Sequence, residues 1–353
     1  MDGALQELRH RVMQAHGAST PLRLRGAGTK DFYGERCEGT LLDMRSYFGV
    51  VDYEPSELVI TARCGTPLSE LEDLLAQQRQ FLAFEPPAFG GDPTIGGVIA
   101  AGLSGPRRVQ AGAARDFVLG AELLCAQGEL LHFGGQVIKN VAGFDLSRLL
   151  CGSLGILGAI TQVSLKVLPL PRMEQTLQFE MASSEALALF NRWAGQPLPI
   201  SATAWHDGQA WLRLSGAPPA LRTARERLGG ELLEDAAASR LWRSLRDQTH
   251  AFFEHTSALW RLSLPSTAPE IAGAGSQLIE WGGALRWCSG EPPAADMRQR
   301  AVAAGGTAMH WRGGSAGDRF HSLSPAVLEI HRRLKSRFDP HRIFNPGRLI
   351  ADL

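Results

Sequence analysis

The chain has 353 residues, enough for about two domains of ordinary size, each able to bury its own core. Lys plus Arg and Asp plus Glu each number 36, with no half of the chain dominated by one sign, which speaks against a nucleic-acid partner. No uncharged apolar run approaches the ~20 residues that cross a bilayer, and residues 1–16 lack the apolar stretch of a signal peptide, so a cytoplasmic chain is expected.

In chain order, residues 1–16 read as an amphipathic helix with Leu5, Leu8, Val12 and His16 near helical spacing. Pro21 ends it, and residues 22–25 alternate like a short strand. Further strands are expected at 40–44, 58–63, 117–125, 128–133 and 160–168, the last half-buried by its alternation of Val163, Leu165 and Val167 with polar residues. Thr66 and Pro67 cap a helix whose Leu68, Leu71, Leu74 and Leu75 share one face. Leu168-Pro169-Leu170-Pro171 is the clearest breaker and marks a domain boundary.

Beyond it the pattern predicts a strand at 176–181, a helix at 185–193, a hairpin across Asp207-Gly208 and helices to about residue 246. A strand at 258–264, a helix, a strand at 284–288, a helix and a strand at 307–312 follow. That order suits a ferredoxin-like α+β sandwich. Ser324 and Pro325 open a last helix, with Val327, Ile330, Leu334 and Phe338 on one face, and Asp339-Pro340 stops it. The basic run at 332–337 reads as a solvated helix face, and no internal repeat is visible. All eight Trp lie between Trp193 and Trp311, so the two halves are built differently.

Three glycine-rich segments precede residue 160. Arg25-Gly26-Ala27-Gly28-Thr29-Lys30 directly follows a strand, and consecutive amides in such a turn make an anion-binding concavity. Pro93-Thr94-Ile95-Gly96-Gly97 enters a short helix whose first N–H groups favour phosphate. Gly152 to Gly158 turns into the strand that carries Ile160. Neither a Rossmann fingerprint nor a Walker loop fits, because Asp31 stands where the third glycine belongs and no G-K-[ST] occurs. Two pyrophosphate-compatible loops some 65 residues apart suggest a dinucleotide gripped by backbone from two sides.

These segments, with Arg115-Asp116-Phe117-Val118-Leu119-Gly120, resemble the FAD-binding domain of the vanillyl-alcohol oxidase (PCMH-type) superfamily. Val137-Ile138-Lys139-Asn140-Val141-Ala142-Gly143-Phe144-Asp145 and the ending Phe338-Asp339-Pro340-His341-Arg342-Ile343-Phe344-Asn345-Pro346-Gly347-Arg348 are similar to the FAD-binding E subunit of bacterial glycolate oxidase (glycolate dehydrogenase). The resemblance is strong over about residues 20–170 and good over the last 25; the middle matches only in length and layout. It implies an α+β chain: a PCMH-type FAD-binding domain of two α+β subdomains at 1–170, an inserted ferredoxin-like α+β cap at 171–315, and a segment at 316–353 returning to the FAD domain.

By the same resemblance, Arg25, Gly26, Ala27, Gly28, Thr29 and Lys30 with Pro93, Thr94, Ile95, Gly96 and Gly97 hold the FAD pyrophosphate, and Ile160 meets the adenine through its backbone. Asn345 and Arg348 bring the last helix back against the flavin domain. Lys139 and Asn140 fall beside the flavin, where a cation stabilises the reduced ring; a solvated strand-end charge is the plainer reading of Lys139. The first glycine loop has no His, so the FAD is expected to be non-covalent. The H-x-G-D-G-N-x-H and G-E-H-G segments of related D-lactate and D-2-hydroxyglutarate dehydrogenases, which supply metal ligands and a base, are missing. Their nearest remnants are His206-Asp207-Gly208, better explained as a type I′ turn, and His310, for which a structural role is the commoner one. Lys139, His310 and Arg312 remain the weak catalytic candidates, and no metal site is expected.

The five cysteines, Cys37, Cys64, Cys125, Cys151 and Cys288, are widely spaced without a C-x-x-C and cannot build an iron–sulfur or zinc site. The favoured expectation is therefore an FAD subunit of a multi-subunit glycolate dehydrogenase. It would oxidise glycolate, with D-lactate a second candidate, beside a homologous FAD-containing catalytic subunit and an iron–sulfur subunit. Any peripheral position at the inner membrane would come through those partners. The alternatives are a self-sufficient FAD-dependent 2-hydroxy-acid dehydrogenase and a flavin-binding structural subunit without its own substrate site.

Overall fold

A computed structural model describes residues 3–135, 145–254, 258–314 and 319–353. The chain divides into two compact units: Met1–Leu103, Ala113–Pro169 and Ser322–Leu353 form the first, Ser104–Gly112 and Leu170–His321 the second. Residues 104–112, which the sequence pattern leaves with the first domain, thus belong to the second. Arg107 holds them there through the carboxylate of Glu174 and the hydroxyl of Ser215.

The elements run α1 (Gly3–Ala18), β1 (Leu22–Arg25), β2 (Thr40–Asp43), β3 (Val50–Glu54), β4 (Val59–Arg63), α2 (Leu68–Gln77), β5 (Gln80–Phe81), α3 (Ile95–Ala101), α4 (Arg108–Ala111), α5 (Ala114–Phe117), β6 (Val118–Leu124), β7 (Leu130–Gly134), α6 (Leu146–Leu149), β8 (Ala159–Lys166) and β9 (Leu168–Pro169). In the first unit β1 and β2 pair in parallel from Leu22↔Thr40 to Arg25↔Asp43, and a separate antiparallel sheet has the order β3-β4-β8-β6-β7. The stripe Leu5, Leu8, Val12 and Ala15 of α1 packs with Leu22, Leu42 and the C-terminal Ile343 and Phe344, which explains why both chain ends are needed for one core. β8 is buried on both faces rather than one: its polar positions Thr161 and Ser164 are also buried, bonded to Glu122 Oε1 at 2.6 Å and Thr61 Oγ1 at 2.9 Å. A central strand can keep such residues inside because each hydroxyl finds a partner.

The chain continues with β10 (Met173–Glu180), α7 (Ser183–Ala194), β11 (Ile200–His206), β12 (Gln209–Gly216), α8 (Pro218–Leu228), β13 (Glu231–Leu232), α9 (Asp235–Asp247), α10 (Ala251–Glu254), β14 (Leu259–Ser263), β15 (Gln277–Glu280), β16 (Leu285–Ser289), α11 (Ala294–Ala303), β17 (Thr307–Arg312) and α12 (Pro325–Phe338). The second unit's eight strands form one antiparallel sheet, ordered β13-β10-β12-β11-β15-β16-β14-β17. Taken four at a time in chain order, both halves have the fourth strand beside the first, then the third, then the second, the ferredoxin-like arrangement. They meet through β11 and β15, where Trp205 opposes Ile279. A duplication is therefore present in topology although no repeat shows in the sequence. One reason is that the second half lacks its first crossover helix. The helix expected between 264 and 284 is replaced by irregular chain and β15.

Candidate cofactor site

At the end of β1, Met44 N–H donates to the Arg25 carbonyl at 2.9 Å, and the chain then turns sharply with Gly28 at φ +80°. A Cβ on Gly26 would overlap the Thr94 hydroxyl, and one on Gly28 would overlap the Arg25 guanidinium, which folds back to bond Asp31 through Nε at 2.7 Å. On the far side, a Cβ on Gly91 would lie 2.7 Å from the Thr29 methyl. Residues 25–30 and 91–97 therefore lie against each other, at spacings only glycine allows.

The two loops use their amides differently. Among the described residues, no acceptor takes the N–H of Gly26, Ala27, Gly28 or Thr29. In the second loop Ile95 N–H donates to Thr66 C=O and Gly96 N–H to Cys64 C=O, both at 2.9 Å, and Gly97 N–H to the capping Thr94 hydroxyl at 3.3 Å. Pro93 has no N–H to give. The strand ends around Cys64 and Thr66 thus take the amides of Ile95 and Gly96, while among the described residues no acceptor takes the N–H of Thr94, and the segment also buttresses the first loop. The four amides of residues 26–29, with Arg25 and Lys30 beside them, are the donor set that fits a pyrophosphate.

The C-terminal segment holds that turn in place. Asn345, buried and in the left-handed region at φ +40°, accepts from Leu24 N–H at 2.7 Å and donates Nδ2–H to Leu154 C=O at 2.7 Å. Arg348 donates to the carbonyls of Glu35 (2.9 Å), Lys30 (3.2 Å), Asp31 (3.1 Å) and Tyr33 (2.5 Å). Both side chains spend these bonds on protein backbone, so their bearing on a ligand passes through the loop they shape. Beneath them Lys335 is fully buried, with Nζ donating to Asp339 Oδ2, Phe344 C=O and Ile156 C=O at 2.7 to 2.8 Å. Asp339 in turn accepts the N–H groups of Ile343 and Phe344 at 3.0 and 2.8 Å. Burial pushes the Lys335 ammonium below the usual lysine range, while Asp339 pulls it back up. The solvated reading of the basic run therefore fails at Lys335. The i, i+4 pair of Lys335 and Asp339 ahead of Pro340 was the one sequence signal that could have shown it.

The remaining candidates separate. Ile160 is buried near the start of β8, opposite Leu123 of β6. Lys139 and Asn140 lie outside the described residues. His310 stacks on Trp260 at 4.3 Å between ring centroids, and Arg312 donates to Phe253 C=O at 3.3 Å and Gln248 Oε1 at 3.0 Å. Burial also lowers the Arg312 guanidinium from its ordinary range. Both side chains have packing duties within the second unit. Asp207 and Gly208, at φ +47° and +79°, form the expected tight turn between β11 and β12.

Residues 4–134 match the model of an FAD-binding domain, and residues 291–349 match the C-terminal domain of FAD-linked oxidases. Glycolate oxidase subunit GlcE of Escherichia coli K12 is 45% identical over 348 residues, covering 99% of this chain and 98% of that protein. The chain belongs to the GlcE family. Its wider relatives in the FAD-linked oxidases include glycolate oxidase subunit GlcD of Bacillus subtilis, 34% identical over 44% of this chain and 34% of that protein. The D-lactate dehydrogenase of Archaeoglobus fulgidus is 25% identical over 96% of the chain and 88% of its own length. Among solved structures, an alkyldihydroxyacetonephosphate synthase superposes with a TM-score of 0.68 at 15% identity, covering 98% of this chain and 76% of that one, and shows the same fold. This GlcE-family chain is an FAD-dependent oxidoreductase subunit with the PCMH-type fold, and FAD is its cofactor. No helix among the described residues is long and apolar enough to cross a membrane.

Proposed function

We propose that this chain is the FAD-holding E subunit of a multi-subunit glycolate dehydrogenase, working beside a homologous FAD-containing subunit and an iron–sulfur subunit. The observation that carries this is the open amide set of residues 26–29, wedged by Thr94 and clamped by Asn345 and Arg348, in a chain that matches a glycolate oxidase subunit along its whole length. Amides 26–29 would hold the pyrophosphate, Arg25 and Lys30 would balance its charge, and Ile160 would border the adenine. Lys139 and Asn140 are proposed beside the flavin ring. FAD, when bound, supplies the two-electron acceptor for the 2-hydroxy acid. With no His in the first loop, the flavin is held without a covalent bond.

Electron exit through a partner is supported by the cysteines. Among the described residues Cys37, Cys64, Cys125 and Cys288 are buried and Cys151 is partly exposed, none of them in a disulfide. Burial pushes the Cys64 thiol far up and the Cys288 thiol up to about 12, so both stay protonated and inert. The test is to co-purify the chain with its partners and count flavin and iron per subunit. One FAD on this chain, with iron confined to another, is the expected outcome. Glycolate oxidation by the isolated chain at the rate of the complex would overturn the reading.

A further inference from the structure

The helix α12 presents an apolar stripe to solvent. A helix on a globular domain ordinarily turns three or four of every seven residues into a core. Of the 14 residues in α12, Lys335 alone is buried. Val327 is 40% exposed and Ile330 56%, and Leu323, just before the helix, is 37% exposed. With the half-buried Leu334 they follow one another at intervals of four, three and four residues, the spacing of a seam that receives another helix or an apolar ridge. The helix is not loose: the Lys335–Asp339 pair fixes its C-terminal end inside the first unit, and the Phe338 ring meets Phe133 at 6.2 Å. It is thus a rigid ridge whose apolar side lies open.

Charge narrows what can cover it. Arg333 and Arg337, three and seven residues after Ile330, run along one edge of the stripe, and Arg332 follows nearby. Glu329, the helix's one acidic residue, pairs with Arg333 at 2.8 Å, and Asp352 of the C-terminal segment pairs with Arg332 at 2.6 Å, which leaves Arg337 as the excess positive charge on this edge among the described residues. Pairing two copies of α12 would set this net positive charge against itself. The stripe is purely aliphatic, and Phe338 is turned to Phe133, so the outward aromatics that seat a helix in a lipid interface are missing from it.

We infer that the exposed face of α12, centred on Val327 and Ile330 and edged by Arg333 and Arg337, is the docking ridge for a partner subunit whose contact surface is apolar with an acidic rim. This rests on the subunit reading above. A helix of about 21 Å cannot make a whole stable interface, so the ridge is one part of a larger contact.

The test uses the full chain co-expressed with the homologous FAD subunit and the iron–sulfur subunit, with Ile330→Asp, Val327→Asp and the double variant Arg333→Glu, Arg337→Glu. Each aspartate variant should retain the melting temperature and flavin content of the parent chain while its affinity for the purified partners falls tenfold or more. The arginine variant should weaken binding mainly at low salt. Unchanged partner affinity in Ile330→Asp would overturn the inference while leaving the subunit reading intact. Failure of the parent chain to bind either partner would overturn the subunit reading and the inference with it. A dimer of the chain alone that Ile330→Asp dissolves, or binding to vesicles of phosphatidylcholine and phosphatidylglycerol that it abolishes, would overturn the inference in favour of a second copy or a lipid surface.

Discussion

The two units treat their polar groups in opposite ways. In the second, His310, Arg312, Arg286 and Arg107 sit in aromatic stacks or on backbone carbonyls and carboxylates, so its chemistry-bearing side chains are absorbed into packing. In the first, the side chains at the C-terminus are equally absorbed, yet among the described residues no acceptor takes the four successive backbone amides of residues 26–29. These four residues are half-buried or exposed, so their N–H groups are open to a ligand. The difference teaches that the proposed cofactor site is written in backbone, with the conspicuous side chains holding that backbone in shape.

Breaking the clamp should do the most damage. Lys335→Met removes three hydrogen bonds and leaves Asp339 buried without its cation, which should cost about 3–5 kcal/mol of unfolding free energy in a denaturant titration, with loss of bound flavin. Asn345→Ala strands Leu24 N–H and Leu154 C=O and should cost about 1–3 kcal/mol, and flavin released on dilution should rise with it. By contrast, His310→Gln in the second unit should leave flavin content at one per chain by absorbance, because the ring's neighbour is Trp260.

The smallest expected effect concerns pH. Burial first, and His206 second, hold His250 below the usual histidine range. A base with a depressed folded pKa takes up more protons when unfolded, so its contribution is complete at neutral pH and is lost as pH falls below about 6.5. His250→Gln should flatten the acid limb of stability measured by denaturation midpoint between neutral and mildly acidic pH. An acid limb identical to that of the parent chain would show that other groups set it.

How much of this was legible in the sequence follows the same division. Glycine at 26 and 28 could be read directly, because a turn that admits no Cβ accepts little else. The longer strands of the first unit were legible from periodicity, apart from β3, whose Val50-Val51-Asp52-Tyr53-Glu54 has no clean alternation; the two-residue pair β5 and β9 was missed as well, the latter lying in the stretch read as a breaker. The commitment of the Ile95 and Gly96 amides was not legible, since it depends on where the ends of β4 and α2 come to lie. Lys335 was hidden for a similar reason: one acceptor, Ile156, is 179 residues away, and a lysine in a basic helix is ordinarily solvated. The duplicated sheet was hidden because its two halves share an order of strands and not a set of residues.

The claim that backbone amides of the first loop hold the flavin is tested most directly by titrating the flavin-free chain with FAD, comparing the parent with Gly28→Ala. The Arg25 guanidinium can swing aside from a Cβ at residue 28, but the turn there is at φ +80°, so an alanine strains the backbone that carries the amides while β1, β2 and the second unit keep their own pairing. The account predicts a Kd at least tenfold weaker, with the circular dichroism spectrum and the melting of the chain without flavin nearly unchanged. Unaltered FAD affinity in this variant would contradict it.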